Sequence, residues 1–429
     1  MEITLKTMMI QPTPQQGIAV KAIHAFALFC AMLLLWPAHA GAEVLHSFIT
    51  WHRDDTARTL AIHLVTDQSA NPAAEVLYDR EPRGGSAADY RFRAEGRQAK
   101  IPGLDHVYVQ KIELRNLTPN CTFHFIAGSP ETGYTTEKSF RSLPLKPSTL
   151  KFVTGGDMGV GDRTRALCRE AAKHDPGFVL IGGDLAYANG RLSAWNLWRD
   201  YLAILEEELV RSDGTIIPIL ATIGNHEVNN DIQSKNFFER SPFYMHLFAP
   251  KDGPTYFRRS FGDLLVLLGL DTGHLVPHGG RQSQWLQYQL EQTDEFPYLM
   301  ACYHVPLYPS HREYDGSSSQ AGRKWWLPLF DRYRLSVGLE NHDHTLKRTI
   351  PLYGNKPAPE GQGTIYIGDG CFGRDPRTVE PERWYLAHAK STPHFWVVDL
   401  HADRVTMIAY DENGEEVDRT SRPPRTPHQ

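Results

Sequence analysis

The chain has 429 residues, of which 41% are hydrophobic and 22% are charged. This length exceeds what one small core needs and predicts two or three domains of ordinary globular composition. The formal net charge of -5 argues against a nucleic-acid-binding surface, which would carry a basic excess.

The first predicted element is a leader at residues 1–42. Its apolar run at 25–36 (AFALFCAMLLLW) is shorter than the roughly 20 residues that a membrane span needs. Lys21 precedes the run, and residues 38–40 (AHA) place small side chains where a signal peptidase reads them. A buried core helix is the alternative, but such a helix would rarely end in Pro37. We therefore expect a secretory signal, no stable membrane span, and a secreted or periplasmic protein.

Residues 43–146 predict an all-β sandwich. Short apolar–polar runs are separated by Gly, Pro, Asn and Asp, which are typical turn residues. The stretch 114–125 (LRNLTPNCTFHF) resembles the late strands of fibronectin type III-like domains. The predicted strands lie at 46–52, 59–66, 74–79, 89–94, 107–114, 122–127 and 138–143.

Residues 147–418 predict an α/β domain. Apolar runs alternate with amphipathic stretches, a pattern typical of strands buried on both faces between helices. Five runs end in ligand-type residues, and ligands in α/β sheets bind beyond the carboxyl ends of the strands. The five runs are LKFVTGGD, FVLIGGD, IIPILATIGNH, LMACYH and LSVGLENH; the predicted helices are 162–174, 192–211, 282–292 and 321–333.

Turn signals and the end of the chain complete the prediction. Gly262-Asp263 and Ala402-Asp403 indicate antiparallel hairpins. The proline-containing segment 419–429 is predicted to be a disordered tail.

Four cysteines remain outside the leader: Cys121, Cys168, Cys302 and Cys371. They show no CxxC spacing, which argues against a zinc ribbon. Export would permit disulfides, and the sequence leaves their pairing open. Cys302 lies inside a strand-like run and is expected to be a small buried hydrophobe.

Seven side chains near the run ends are candidate metal ligands. Each has an ordinary interpretation when taken alone, such as a turn aspartate or a core histidine. Together they offer carboxylates that can bridge two cations about 3.5–4 Å apart, a neutral amide oxygen, a phenol and three imidazoles, which predicts a two-metal hydrolytic centre. His342 and His344 should point the same way from an extended segment. The seven are Asp157, Asp184, Tyr187, Asn225, His304, His342 and His344.

The blocks G-D-M-G, G-D-L-A-Y, G-N-H-E, the lone His304 and N-H-D-H resemble the signature of the purple acid phosphatases, within the calcineurin-like metallophosphoesterases. The resemblance covers about 150–350, and the preceding sandwich is similar to the fibronectin type III-like domain of the large plant-type members. It implies an α/β metallophosphoesterase core of mixed sheets flanked by helices. The implied function is an exported binuclear-metal acid phosphatase that hydrolyses phosphate monoesters by attack of a metal-activated hydroxide.

The resemblance also implies a role for each residue. A ferric ion would be held by Asp157, Asp184, Tyr187 and His344, and a second Fe, Zn or Mn ion by Asp184, Asn225, His304 and His342. His226 would be catalytic together with the bridging Asp184, contacting the phosphate and assisting the leaving oxygen.

Two departures from the family pattern bear on the site. Asn341 replaces the glycine of the last block, and asparagine tolerates left-handed backbone well enough to keep the loop shape. The large members of the family carry further substrate histidines soon after the lone metal histidine, whereas this chain offers only His311, at shorter spacing and followed by Arg312. His311 and Arg312 are therefore the candidate substrate contacts beyond His226. Two alternatives stay open: a phosphodiesterase or nucleotidase with the same metal pair, and an exported binding protein with a vestigial site.

Overall fold

The computed structural model describes residues 44–426, apart from 67–73, 132, 230, 251–252, 360–361 and 381. The predicted leader lies outside the described residues. Within the described ranges, no helix has the length and apolar character that crossing a membrane demands.

The amino-terminal part is built from two antiparallel sheets whose inner faces share an apolar core that includes Ile62, Val76 and Phe125. One sheet has the order β1-β2-β6-β5, and the other has β9-β7-β3-β4 with β8 beside β7. The predicted β-sandwich is confirmed, with two strands, β5 and the short β8, that the sequence did not predict. The strands are β1 Val44–Thr50, β2 Leu60–Thr66, β3 Glu75–Asp79, β4 Phe92–Glu95, β5 Arg97–Lys100, β6 Tyr108–Leu114, β7 Thr122–Ser129, β8 Gly133–Tyr134 and β9 Lys138–Arg141.

Sixteen further strands follow in the rest of the described chain. They are β10 Thr149–Gly155, β11 Phe178–Ile181, β12 Thr215–Ile216, β13 Ile219–Ala221, β14 Phe257–Phe261, β15 Leu265–Gly269, β16 Tyr298–Cys302, β17 Val337–Glu340, β18 Leu346–Thr349, β19 Leu352–Tyr353, β20 Lys356–Pro357, β21 Ile365–Gly368, β22 Leu386–Lys390, β23 Phe395–His401, β24 Val405–Tyr410 and β25 Glu416–Arg422.

Two mixed sheets form the α/β part, in the orders β13-β11-β10-β23-β24-β25 and β14-β15-β16-β17-β21-β18-β22. Apolar side chains from both sheets, such as Phe152 and Met300, pack into one core between them. Helices cover the outer faces, with Leu167 and Tyr201 against the first sheet and Phe330 against the second. The helices are α1 Asp162–Lys173, α2 Trp195–Glu208, α3 Phe237–Arg240, α4 Pro242–Leu247, α5 Arg281–Leu290, α6 Ser317–Trp325 and α7 Leu327–Arg332.

The β-sandwich and the α/β part are connected by the continuous chain and also by hydrogen bonds between two strands. Strand β12 lies parallel to β9 and so adds an edge strand to a sheet of the sandwich. Residues from 42 onward form one compact unit. The domain boundary at 146 therefore stays a proposal.

Two predictions are wrong in detail. The helix expected at 321–333 is two helices, because Pro328 at the start of α7 lacks the N–H that would continue α6. The tail is ordered through residue 426: residues 419–422 lie in β25, and Arg425 donates to the carbonyls of Phe296 and Tyr333. Residues 427–429 lie outside the described part.

The predicted hairpins and the predicted burial of Cys302 are confirmed. Strands β14 and β15 form the antiparallel hairpin expected at Gly262-Asp263, and β23 and β24 form the hairpin at Ala402-Asp403. All four described cysteines are free thiols. Cys302 is fully buried in the inter-sheet core, as predicted.

Parallel pairing brings the candidate residues to one edge. Strands β10, β11 and β13 run parallel in the first sheet, and β15, β16, β17 and β21 run parallel in the second. The loops that follow five of these strands carry Asp157, Asp184, Asn225, His304 and His342, so the carboxyl ends of both sheets face a common site.

Candidate metal centre

The first cluster of side chains surrounds the carboxylate of Asp157. Its Oδ1 lies 3.0 Å from His344 Nε2 and 3.2 Å from the Tyr187 hydroxyl. The Tyr187 hydroxyl is itself 3.0 Å from His344 Nε2. Three potential ligand atoms therefore form a near-equilateral triangle.

The second cluster surrounds His304. Its Nε2 lies 3.2 Å from Asp184 Oδ2, 3.1 Å from Asn225 Oδ1 and 3.0 Å from His342 Nδ1. The two clusters adjoin, because ligand atoms of Asp157, Asp184, His304 and His342 all lie within 4.8 Å of one another. All seven predicted ligands are thus in one place.

These distances fit bound cations. Nitrogen and oxygen ligands held about 2.0–2.2 Å from a metal stand roughly 3 Å from each other. The Nδ1 of His304 lies 2.9 Å from the carbonyl of Gly182, to which it donates, so Nε2 is the nitrogen that faces the oxygens of Asp184 and Asn225. Such a convergence of oxygen and nitrogen atoms favours a positive charge among them.

The pKa values of the cluster indicate the same requirement. Burial alone would lower the pKa of His304, but the carboxylates of Asp184 and Asp157 raise it to about 10. Burial would raise the pKa of Asp157, yet the neighbouring histidines His304, His344 and His342 hold it well below its usual range. The site therefore favours a cation, whether a proton or a metal ion.

Five of the seven predicted ligands have left-handed backbone, with φ between 55° and 83°. Such conformations cost non-glycine residues of order 1–3 kcal/mol each and cluster at functional sites. A tyrosine in this region is uncommon. The five are Asp157, Asp184, Tyr187, His342 and His344.

This geometry corrects two expectations about the last block. His342 and His344 do not point the same way from an extended segment; left-handed turns direct His342 to His304 and His344 to Asp157. Asn341 is not left-handed. Its side chain packs on Gly182, where a Cβ would lie 1.8 Å from Asn341 Nδ2, and it donates to the carbonyl of Tyr303 at 3.0 Å.

His226 lies at the edge of the second cluster. Its backbone N–H donates to Asp184 Oδ1 at 2.8 Å, its Nδ1 is hydrogen-bonded to Asn189 Oδ1, and its ring lies 4.1 Å from that of Tyr187. Burial lowers the pKa of His226, Asp184 opposes this, and the charge of Arg374 adds to the lowering. Because Asn189 binds Nδ1, Nε2 is the nitrogen left for a substrate.

His311 and Arg312 lie across the site, in a loop beside His342. They line a cavity of about 570 Å³ together with Val305, His342 and residues 316–319. The Nδ1 of His311 lies 2.8 Å from the carbonyl of Thr378. Both predicted substrate contacts therefore border a space that reaches a predicted ligand.

Two buried carboxylates that sequence reasoning missed support the loops. Glu227 accepts the backbone N–H groups of Asp184, Leu185 and Gly224, each at 2.8 Å. Asp343 accepts those of residues 310–312 at 2.7–3.1 Å. The available sequence signal was that Glu227 and Asp343 lie in the same short blocks as predicted ligands, because a buried acidic side chain needs a hydrogen-bonding partner.

Comparison with known proteins identifies the class of this site. Residues 156–356, which contain all seven predicted ligands, match the family model described as calcineurin-like phosphoesterase. This region of the chain is therefore a calcineurin-like phosphoesterase domain.

Two relatives of this chain belong to one family of phosphoesterases. The chain is 26% identical over 325 residues to "Probable purple acid phosphatase 20" of Arabidopsis thaliana, covering 72% of this chain and 71% of the relative. It is 26% identical over 335 residues to "Purple acid phosphatase 21" of the same plant, covering 76% and 68%. Both of these relatives are named as purple acid phosphatases, a family of metal-dependent phosphoesterases.

The fold agrees with this relationship. The structure of purple acid phosphatase PPD1 from yellow lupin (Lupinus luteus) seeds matches with a TM-score of 0.74 at 17% identity, covering 90% of this chain and 74% of that one. The predicted metallophosphoesterase core preceded by a β-sandwich is confirmed.

Proposed function

We propose that the protein is an exported, binuclear-metal phosphatase of the acid phosphatase type that hydrolyses phosphate monoesters. The observation that carries the proposal is the convergence of seven ligand side chains from separate strand-end loops into two adjoining clusters. Homology to purple acid phosphatases supports it.

The two clusters would divide the metals between them. Asp157, Tyr187 and His344 would hold a ferric ion, for which a phenolate is a suitable hard ligand. Asn225, His304 and His342 would hold a second Fe, Zn or Mn ion, with Asp184 shared. When bound, the two cations would neutralise charge on the ester oxygens and make a water molecule acidic enough to act as nucleophile.

The remaining side chains would bind and orient the ester. His226, held through Nδ1 by Asn189, would direct Nε2 at the leaving oxygen and, in its imidazolium form, donate the Nε2 proton to it. His311 and Arg312 would bind phosphate oxygens from the cavity beside His342.

We also propose a cellular location and a division of the chain into domains. The leader at 1–42 would direct export to the periplasm or the medium. Residues 43–146 would act as a fibronectin type III-like domain and 147–418 as the catalytic domain.

The test is metal-dependent turnover. Protein stripped with a chelator should be inactive on phenyl phosphate, and activity should return on addition of ferric ion with Fe(II), Zn or Mn. A visible absorption band should appear with iron in the wild type but not in Tyr187→Phe. Full metal content without hydrolysis of any ester would overturn the proposal in favour of a binding protein, and faster turnover of bis-aryl diesters would reassign it as a phosphodiesterase.

A further inference from the structure

Arg374 lies in the loop after β21, and its backbone is fixed against the metal centre. Its N–H donates to the carbonyl of Asp157 at 3.1 Å, and Phe372 N–H donates to that of Gly156 at 2.9 Å. The loop approaches so closely that a Cβ on Gly373 would lie 2.2 Å from the Met158 carbonyl oxygen. The position of Arg374 is therefore determined by the same strand-end loop that carries Asp157.

The guanidinium of Arg374 rests on the ring of Tyr187, with 4.3 Å between its central carbon and the ring centroid. Stacking of this kind orients the planar N–H fork without using its hydrogen-bond donors. Arg374 is exposed, and among the contacts of the described residues its guanidinium has no carboxylate partner. The adjacent Asp375 is paired with Arg163 at 2.7 Å.

The location of the Arg374 guanidinium relative to His226 indicates which part of a substrate it could bind. The rings of His226 and Tyr187 are 4.1 Å apart, and the central guanidinium carbon of Arg374 is 4.3 Å from the Tyr187 ring centroid, so both side chains flank the same tyrosine. Arg312 lies in the other loop, beside His342. A leaving group whose oxygen is bound by His226 would therefore lie next to Tyr187, the ring on which the Arg374 guanidinium rests.

We propose that Arg374 is a specificity-determining residue that binds a second anionic group, a carboxylate or a phosphate, on the leaving group of the substrate. This inference rests on the proposed phosphatase function. A guanidinium fork suits such groups because it can donate two parallel hydrogen bonds to their oxygens. The preferred substrates are therefore phosphate esters of alcohols that carry another negative charge.

The experiment compares phenyl phosphate with 4-carboxyphenyl phosphate, which differ by one carboxylate. Arg374→Ala should raise KM for the carboxylated ester by roughly three- to tenfold, the range of an exposed charge-assisted contact, and change KM for phenyl phosphate by less than about twofold. Arg374→Lys should fall between, because lysine keeps the charge without the fork. Arg332→Ala is the matched control, since Arg332 also stacks on a tyrosine, Tyr333, at 5.3 Å.

Equilibrium binding provides a readout that does not depend on turnover. Calorimetry with phenylphosphonate and 4-carboxyphenylphosphonate should show the same selective loss in Arg374→Ala at unchanged metal content. Equal effects on both phosphonates, or no effect on either, would overturn the role of Arg374 while leaving the phosphatase proposal intact. Absence of turnover in metal-loaded wild type would overturn that proposal, and the phosphonate pair would still decide whether Arg374 binds the carboxylate.

Discussion

The carboxylate of Glu227 holds the backbone N–H of Asp184 at 2.8 Å. It also accepts the N–H groups of Leu185 and Gly224, and its side chain is almost completely buried. Glu227 is not among the predicted ligands, yet it fixes the left-handed turn from which Asp184 reaches His304. The geometry of the proposed bridging ligand thus depends on a buried acid behind it.

Glu227→Ala should destabilise the protein and weaken metal binding. The change leaves three buried N–H groups without an acceptor, at roughly 1–3 kcal/mol each, so the free energy of unfolding should fall by at least about 3 kcal/mol. Glu227→Gln should be milder because one amide oxygen remains. Urea unfolding and metal analysis measure both effects, with exposed Glu291→Gln as control. Wild-type stability and metal content in Glu227→Ala would contradict this role.

Asp184→Asn should lower metal content and activity together. An amide offers one neutral oxygen where the carboxylate offers two charged ones, so the variant cannot share its side chain between two cations equally well. The expected result is loss of at least one metal ion per chain, measured by elemental analysis, and a parallel loss of phenyl phosphate turnover. Asp200→Asn, on the exposed face of α2, serves as control. Normal loading with full turnover would refute the bridging assignment.

His226→Ala should spare the metals and slow hydrolysis. General acid catalysis of this kind contributes about 10²–10⁴-fold, so kcat should fall within that range while metal content stays at the wild-type value. Asn189→Gly should lower kcat less, because glycine tolerates the backbone φ of 53° at this position and the change removes mainly the hydrogen bond that orients the imidazole. An unchanged kcat in His226→Ala would remove this residue from the mechanism.

The placement of the ligands was predictable because it follows from strand topology. Apolar runs that end in Asp157, Asp184, His304 and His342 become parallel strands, and parallel strands bring their carboxyl ends to one edge. Hairpins at Gly262-Asp263 and Ala402-Asp403 were equally accessible, since two-residue turns have local sequence signals. The strand-end ligands and the hairpins could both be predicted from the order of residues within short segments of the chain.

The local backbone and the supporting contacts were not predictable in this way. The left-handed conformations of His342 and His344 are imposed by tertiary contacts such as the 2.7 Å bond from His342 N–H to Asp157 Oδ2. Arg374 gave no sequence signal, because stacking on Tyr187 requires two loops separated by nearly two hundred residues to meet. Asp343 could have been suspected as an acid between two histidines, but its partners lie in another loop.

Asp343→Ala should weaken substrate binding more than it slows the chemical step. Asp343 holds the backbone of residues 310–312 and lies 3.4 Å from the guanidinium Nε of Arg312. Without it, KM for phenyl phosphate should rise about tenfold, as expected for losing roughly one charged contact. Asp343→Asn should retain part of the anchoring but lose the attraction to Arg312, and give an intermediate KM.

The control for Asp343 is Asp79→Ala in the sandwich. Asp79 is also buried and accepts backbone N–H groups, from Arg80 at 2.7 Å and Arg91 at 3.3 Å, but lies outside the phosphoesterase region. The Asp79→Ala variant should be less stable than the wild type, with no change in KM for phenyl phosphate. A rise in kcat/KM, or equal effects of both variants on KM, would show that Asp343 does not position the substrate loop.

Glu206 connects helix α2 to the sandwich. Its carboxylate contacts His46 Nδ1 at 3.2 Å, the Ser47 hydroxyl at 3.1 Å and the ammonium of Lys138. Burial alone would raise the pKa of Glu206, but these partners lower it to about 2. Since the folded-state pKa lies below the usual value for glutamate, the charged form stabilises the fold above about pH 4.5, and this contribution is lost as pH falls towards 2.

Glu206→Gln should therefore reduce the free energy of unfolding by about 2 kcal/mol at pH 7, allowing for the partial exposure of the side chain. The difference between wild type and variant should shrink steadily as the pH is lowered from about 5 towards 3, because wild-type Glu206 begins to lose its advantage over the neutral amide. Urea unfolding at a series of pH values measures it. Glu207→Gln, one residue along and more exposed, should show a much smaller difference throughout. A Glu206→Gln deficit that stayed constant from pH 7 to pH 3 would mean that packing, rather than the charge of this carboxylate, joins α2 to the sandwich.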